Sequence, residues 1–118
     1  MRTVVAYKHY FEEFLENLPE KVQDKIFKIL EIVKFQQQVP TRYLKHIEGT
    51  DGLYEARFSF RSNIWRVFCF FEEGQLIILL NGFYKKTQKT PKKEIMKALK
   101  LKKEYFEEKE LKKNGSNK

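Results

Sequence analysis

Residues 53–84 constrain the fold more than any other part of the chain. Leu53–Phe60, Ile64–Phe71 and Leu76–Tyr84 are three β-type runs, rich in Phe, Ile, Leu and Val. Ser62-Asn63 and Glu73-Gly74 separate them, and both pairs suit two-residue hairpin turns. The stretch therefore reads as an antiparallel meander. Placing the turns there sets the pairing: Phe60 opposes Trp65, Ser59 opposes Arg66, Arg57 opposes Phe68, Phe68 opposes Leu79, and Arg66 opposes Asn81.

Paired side chains share a face, and the face alternates along each strand. One face then collects Tyr54, Ala56, Phe58, Phe60, Trp65, Val67, Cys69, Phe71, Leu76, Ile78, Leu80 and Gly82, all apolar, small or aromatic. The other collects Glu55, Arg57, Ser59, Ile64, Arg66, Phe68, Phe70, Ile77, Leu79, Asn81, Phe83 and Lys85. The first face is expected to pack on helices. The second mixes charge with apolar groups and is the candidate working surface. On it Arg57 and Arg66 fall diagonally across adjacent strands, and Lys85 extends the row.

The flanks supply the helices. Thr3–Tyr7 reads as a short strand. Residues 8–17 read as a helix with Phe11, Phe14, Leu15 and Leu18 on one side. Pro19 suits the first turn of a second helix, whose Val22, Ile26, Ile29, Leu30 and Val33 recur at i, i+3/i+4. Residues 40–52 read as a basic loop ending in the turn signal Gly49-Thr-Asp-Gly52. Thr90 suits a helix cap and Pro91 a first helical residue, opening a last helix to about Lys109. The order is β-α-α-β-β-β-α. It predicts an α+β fold with a mostly antiparallel four-stranded sheet on a helical hairpin, followed by a C-terminal helix. Residues 1–112 make one domain and 113–118 a flexible tail.

Composition removes several classes of function. A single cysteine, Cys69, excludes a disulfide framework and a cysteine zinc site. Two histidines, His9 and His46, and few acids on the candidate face leave no metal set, and no cofactor motif is visible. No apolar run approaches a membrane span, and residues 1–8 lack a signal-peptide core, so a soluble cytoplasmic protein is expected. The net charge is +8, and the stretch Lys85–Lys103 alone holds nine lysines against Glu94. Such a stripe fits either a polyanion partner or a solvated helix.

Arg66 is the sharpest single signal, a cation in mid-strand among residues that favour burial. A buried charge needs a partner. The partner is either an internal carboxylate, Glu55 or Glu72, or an external anion such as a phosphate gripped by the guanidinium fork. Cleaving RNA through its own 2′-hydroxyl needs a base, cations around the phosphate and an acid for the leaving 5′-oxygen. Arg57 and Arg66 suit the phosphate. Lys85 or Lys86 would serve as base if neighbouring cations lower its pKa, and is otherwise a solvated loop lysine. Tyr84 would stack on a base or share a proton, or simply cap the sheet.

Three segments carry a resemblance. They are Leu44-Lys-His-Ile-Glu-Gly-Thr-Asp-Gly-Leu-Tyr-Glu-Ala-Arg57, Ile64-Trp-Arg-Val-Phe68, and Leu80-Asn-Gly-Phe-Tyr-Lys-Lys-Thr-Gln-Lys-Thr-Pro91 before a Lys/Glu-rich helix. In this order the chain resembles the RelE/ParE toxin superfamily, in its HigB-like branch. The resemblance implies a type II toxin, a ribosome-dependent mRNA endonuclease working without metal. It also implies a cognate antitoxin, often a helix-turn-helix protein, with ribosome and mRNA as further partners. Arg57, Arg66, Tyr84 and Lys85 match its catalytic positions. Lys86, Gln88, Lys89, Lys92, Lys93, Arg42 and Lys45 are the expected RNA contacts. The chain departs from branches that use a C-terminal His or Tyr as acid or base. Two other functions fit the same fold: a ParE-like toxin that binds gyrase through the C-terminal helix, and a non-enzymatic nucleic-acid-binding module.

Overall fold

A computed structural model describes residues 1–73 and 75–116. The order of elements is β1 (Thr3–Ala6), α1 (Tyr10–Glu16), α2 (Glu20–Phe35), β2 (Leu44–His46), β3 (Leu53–Phe60), β4 (Asn63–Glu72), β5 (Leu76–Tyr84) and α3 (Lys92–Ser116). The sheet has five strands in the order β1-β5-β4-β3-β2. The α+β expectation holds, with a correction in count. Leu44–His46, inside the expected loop, forms a short strand against Tyr54–Ala56. β1 runs parallel to β5 and the other pairs are antiparallel.

The hairpin register differs from the expected one. The β3–β4 turn is Arg61-Ser62, both with positive φ, and Phe60 pairs with Asn63. The shift moves each partner by two residues, so every β3 and β4 side chain keeps its face. It also places Arg57 directly opposite Arg66 rather than diagonal to it. Asn63 stays in the strand, where its Oδ1 accepts the Tyr84 hydroxyl at 2.9 Å.

The β4–β5 ladder carries a second correction. Glu72 pairs with Leu76, not Gln75, and Gly74 of the expected turn lies outside the described residues. Near the turn Cys69 faces Leu79, while farther along Val67 faces Gly82. One residue of β4, Phe68, thus opposes two of β5, Leu80 and Asn81, which is a β-bulge. Between turn and bulge the faces of β5 are exchanged. Ile77 and Leu79 join the helical-hairpin core, and Ile78 and Leu80 join the opposite one. Arg66 therefore faces Phe83, not Asn81.

Each sheet face has its own core. Val22, Ile26, Ile29 and Val33 of α2 pack with Phe11 on Phe58, Trp65, Val67 and Cys69. Burial pushes the Cys69 thiol up to about 12, so it stays protonated and inert. On the other face Ala98 and Leu101 of α3 cover Phe68, Phe70, Ile78 and Leu80. The expected working face is thus half covered, and only its Arg57–Arg66 end stays open. α3 outruns its expected end near Lys109: residues 113–116 of the expected tail continue the helix, and 117–118 lie outside the described residues. Among the described residues no helix is long and apolar enough to cross a membrane.

Candidate nucleic-acid interface

The site forms where β3 and β4 run past the cover of α3. Alternation along both strands points Glu55, Arg57 and Arg66 to the same side, and the register sets the two arginines face to face. The side chain of Arg66 is 7% exposed and that of Arg57 27%. One buried carboxylate serves both: Glu55 Oε1 lies 3.6 Å from Arg57 Nε and 3.7 Å from Arg66 Nε.

The sharing is incomplete. Neither Nε donates a hydrogen bond. Arg57 Nη1 reaches the Thr41 carbonyl at 3.4 Å and Arg66 Nη1 the Trp65 carbonyl at 3.1 Å. Glu55 Oε2 is occupied by the Thr90 hydroxyl at 3.0 Å. One carboxylate therefore stands against two guanidiniums, leaving a net positive charge. Burial, and then the repulsion of Arg57, lowers the pKa of Arg66. The internal-partner expectation for Arg66 resolves to Glu55, and Glu72 has other partners.

Lys85 borders the same opening. Its backbone N–H donates to the Ile64 carbonyl at 2.8 Å, which holds the strand end beside the arginines. Burial, then Arg66, lowers its pKa below the ordinary lysine value. The crowding that the sequence made a condition for a lysine base is present at Lys85.

The other expected residues separate into groups. Lys86 and Gln88 line the cleft with Arg57, Arg66 and Lys85, a volume of about 880 Å³. Lys45 pairs with Glu55 and so shares its face. Tyr84 borders the cleft, but it pairs with Trp65 and its ring meets the Trp65 ring edge-on at 5.7 Å. Its ring thus belongs to the face away from the arginines. Arg42 lines a second cleft on the far side of Arg57. Lys89, Lys92 and Lys93 are exposed and line neither. His46 stacks edge-on with Tyr54 on the hairpin side.

Two participants escaped the sequence reading. Thr90 reads as a helix cap, but the Glu94 and Ile95 amides donate to the Pro91 carbonyl and the Thr90 hydroxyl donates to Glu55. Lys25 reads as the solvated side of α2, yet it lines the second cleft. The available signal was its position one turn before the buried Ile29.

Among the described residues no group of three or more His, Cys, Asp or Glu could hold a metal ion. The arrangement offers clustered cations, one buried carboxylate and one lysine of lowered pKa around an open cleft.

The family model described as Phage derived protein Gp49-like (DUF891) matches residues 13–103. No curated protein matches the chain. Among solved structures, the crystal structure of the archaeal RelE-RelB complex from Pyrococcus horikoshii OT3 shares the fold. The TM-score is 0.52 at 20% identity, covering 70% of this chain and 93% of that one.

Proposed function

Because the chain belongs to the phage-derived Gp49-like family, a toxin family of RelE/ParE type, we propose that it is a ribosome-dependent mRNA endonuclease of a type II toxin–antitoxin pair. The observation that carries this reading is the pairing of Arg57 with Arg66 across one carboxylate, at the floor of an open basic cleft.

The chemistry follows from those groups. The 2′-oxygen of the substrate attacks its own 3′-phosphorus to form a 2′,3′-cyclic phosphate, and the 5′-oxygen of the next nucleotide leaves with a proton taken from water in the open cleft. Arg57 and Arg66 hold the two charged equatorial oxygens, which carry more charge in the transition state than in the ground state. Lys85 in its neutral form takes the 2′-proton, and burial and Arg66 favour that form more than in an ordinary lysine. The ribosome orients the message, so orientation supplies much of the rate. Lys86 and Gln88 contact the backbone along the cleft, while Lys45, Lys89, Lys92 and Lys93 add to the field that attracts RNA. Tyr84 contributes by tying the end of β5 to β4 through its contacts with Asn63 and Trp65.

The relative of known structure was solved with RelB, which supports a cognate antitoxin as partner here. Toxin and ribosome would then meet in the cytoplasm.

Primer extension on translated messages after brief induction tests the proposal. Wild type gives new 5′ ends inside codons. Arg66→Ala, with unchanged circular dichroism, gives none, and Arg66→Lys gives few because it keeps the charge but loses the fork. Arrested growth with intact message, or full cleavage by folded Arg66→Ala, overturns it.

A further inference from the structure

The arginine pair opens on two sides. Arg57, Ile64 and Arg66 line both clefts. One continues to Lys85, Lys86 and Gln88. The other, about 450 Å³, continues in the opposite direction to Lys25, Arg42, Tyr43 and Ser59.

The second cleft exists because β2 is short. β2 pairs only with Tyr54–Ala56, and the last backbone bond across that edge runs from Arg57 N–H to the Tyr43 carbonyl at 2.8 Å. Beyond it the edge of β3 is uncovered, and α2 closes the space from the hairpin side. Ile29 packs into the core there, and Lys25, one turn earlier, stands over the opening. A half-buried lysine in such a place can lay its methylene stem on apolar lining and keep its ammonium in water. Arg42 lies over the Tyr43 ring at 4.8 Å, which orients its guanidinium.

The charge of this cleft is only partly compensated, by Glu55 beside the two arginines. Lys25, Arg42, Arg57 and Arg66 line it, and no carboxylate does. Lys25 and Arg42 make no ion pair among the described residues. Cations beside an aromatic ring and an apolar floor suit a nucleotide, with its phosphate and its base, better than an acidic peptide.

We propose that the two clefts form one track for single-stranded RNA across the edge of β3. Arg57 and Arg66 hold the scissile phosphate at its middle, and Lys25 with Arg42 holds a neighbouring phosphate on the α2 side. The inference rests on the endonuclease reading and assigns Lys25 and Arg42 as positioning residues of that site.

Anisotropy titrations of the full chain with 2′-O-methyl oligonucleotides, which cannot be cleaved, test the track. A hexanucleotide spans both clefts, and a dinucleotide occupies only the arginine pair. Lys25→Gln and Arg42→Gln are expected to weaken hexanucleotide binding about fivefold and to reduce its salt slope by about 0.7 each. Dinucleotide binding stays as in wild type, and Lys25→Arg restores the hexanucleotide. Arg66→Ala weakens both. Wild-type hexanucleotide affinity and salt slope in both glutamine variants overturn the track and leave the endonuclease reading standing. So does unchanged hexanucleotide binding with weakened binding of a labelled polyglutamate peptide in the same variants, which would assign the cleft to protein. A wild-type chain that binds neither oligonucleotide overturns both.

Discussion

Arg57 and Arg66 stand opposite each other across β3 and β4, with the Glu55 carboxylate 3.6 and 3.7 Å from their Nε atoms. Two like charges in one cross-strand pair repel, so Glu55 permits the pairing. Glu55→Gln removes the carboxylate and should cost about 1–3 kcal/mol of stability. It also leaves a stronger anion site. Inorganic phosphate is therefore expected to stabilise Glu55→Gln more than wild type in urea unfolding. Equal phosphate effects on the two proteins would show that Glu55 does not compensate the pair.

Burial and Arg66 hold the Lys85 ammonium below the ordinary lysine value of 10.5. The folded chain binds this proton more weakly than the unfolded chain does. The resulting penalty is fully present below the folded pKa and disappears as pH rises through it toward the unfolded value, so stability from this group increases with pH. Arg66→Gln removes the cation that acts on Lys85 most strongly and should move the Lys85 midpoint upward. Carbon NMR titration of the lysine ε-methylene reads both midpoints directly. If they coincide, Arg66 does not act on Lys85.

The sequence carried the site better than it carried the sheet. Strict alternation in Tyr54–Phe60, carried across the hairpin to Ile64–Phe71, puts Arg57 and Arg66 on one face in the expected register and in the observed one, because a two-residue shift preserves parity. Leu76-Ile-Ile-Leu-Leu80 has no alternation, so nothing in it distinguishes the two faces or announces the bulge opposite Phe68. The three residues of β2 are too few to show a period. Among the described residues of α3 only Ala98 and Leu101 are fully buried, a stripe too thin to predict that the helix covers half the working face. Lys25 was hidden for a different reason: a cation on an amphipathic helix reads as solvated until the neighbouring edge is known to be open.

Gly82 fits the hairpin face for lack of a side chain. A Cβ there would lie 2.6 Å from Cγ and Cδ2 of Phe14 in α1, inside any normal contact. Gly82→Ala should therefore cost about 1–3 kcal/mol through overpacking. Adding Phe14→Leu relieves the clash, so the double variant should be more stable than the two single changes sum to. A thermodynamic cycle by chemical unfolding measures that surplus. Strict additivity would mean that the ring shifts aside without strain.

Glu72 is buried at the far end of β4, where it accepts the Tyr105 hydroxyl and pairs with Lys109. Both partners belong to α3 beyond Leu101, so one carboxylate ties the second half of that helix to the sheet. The half-exposed Lys109 limits what the ion pair contributes, and the buried acceptor matters more. Glu72→Ala is expected to lower stability by about 1–3 kcal/mol and to speed hydrogen exchange in α3 after Leu101. Glu72→Gln keeps an acceptor for Tyr105 and should do less. Glu72 lies six residues along β4 from Arg66, about 20 Å, so message cleavage per folded molecule should be unchanged in both variants. Unaltered exchange in Glu72→Ala would show that Ala98 and Leu101 alone dock the helix. Lost cleavage in a folded variant would show instead that the end of α3 takes part at the arginine site.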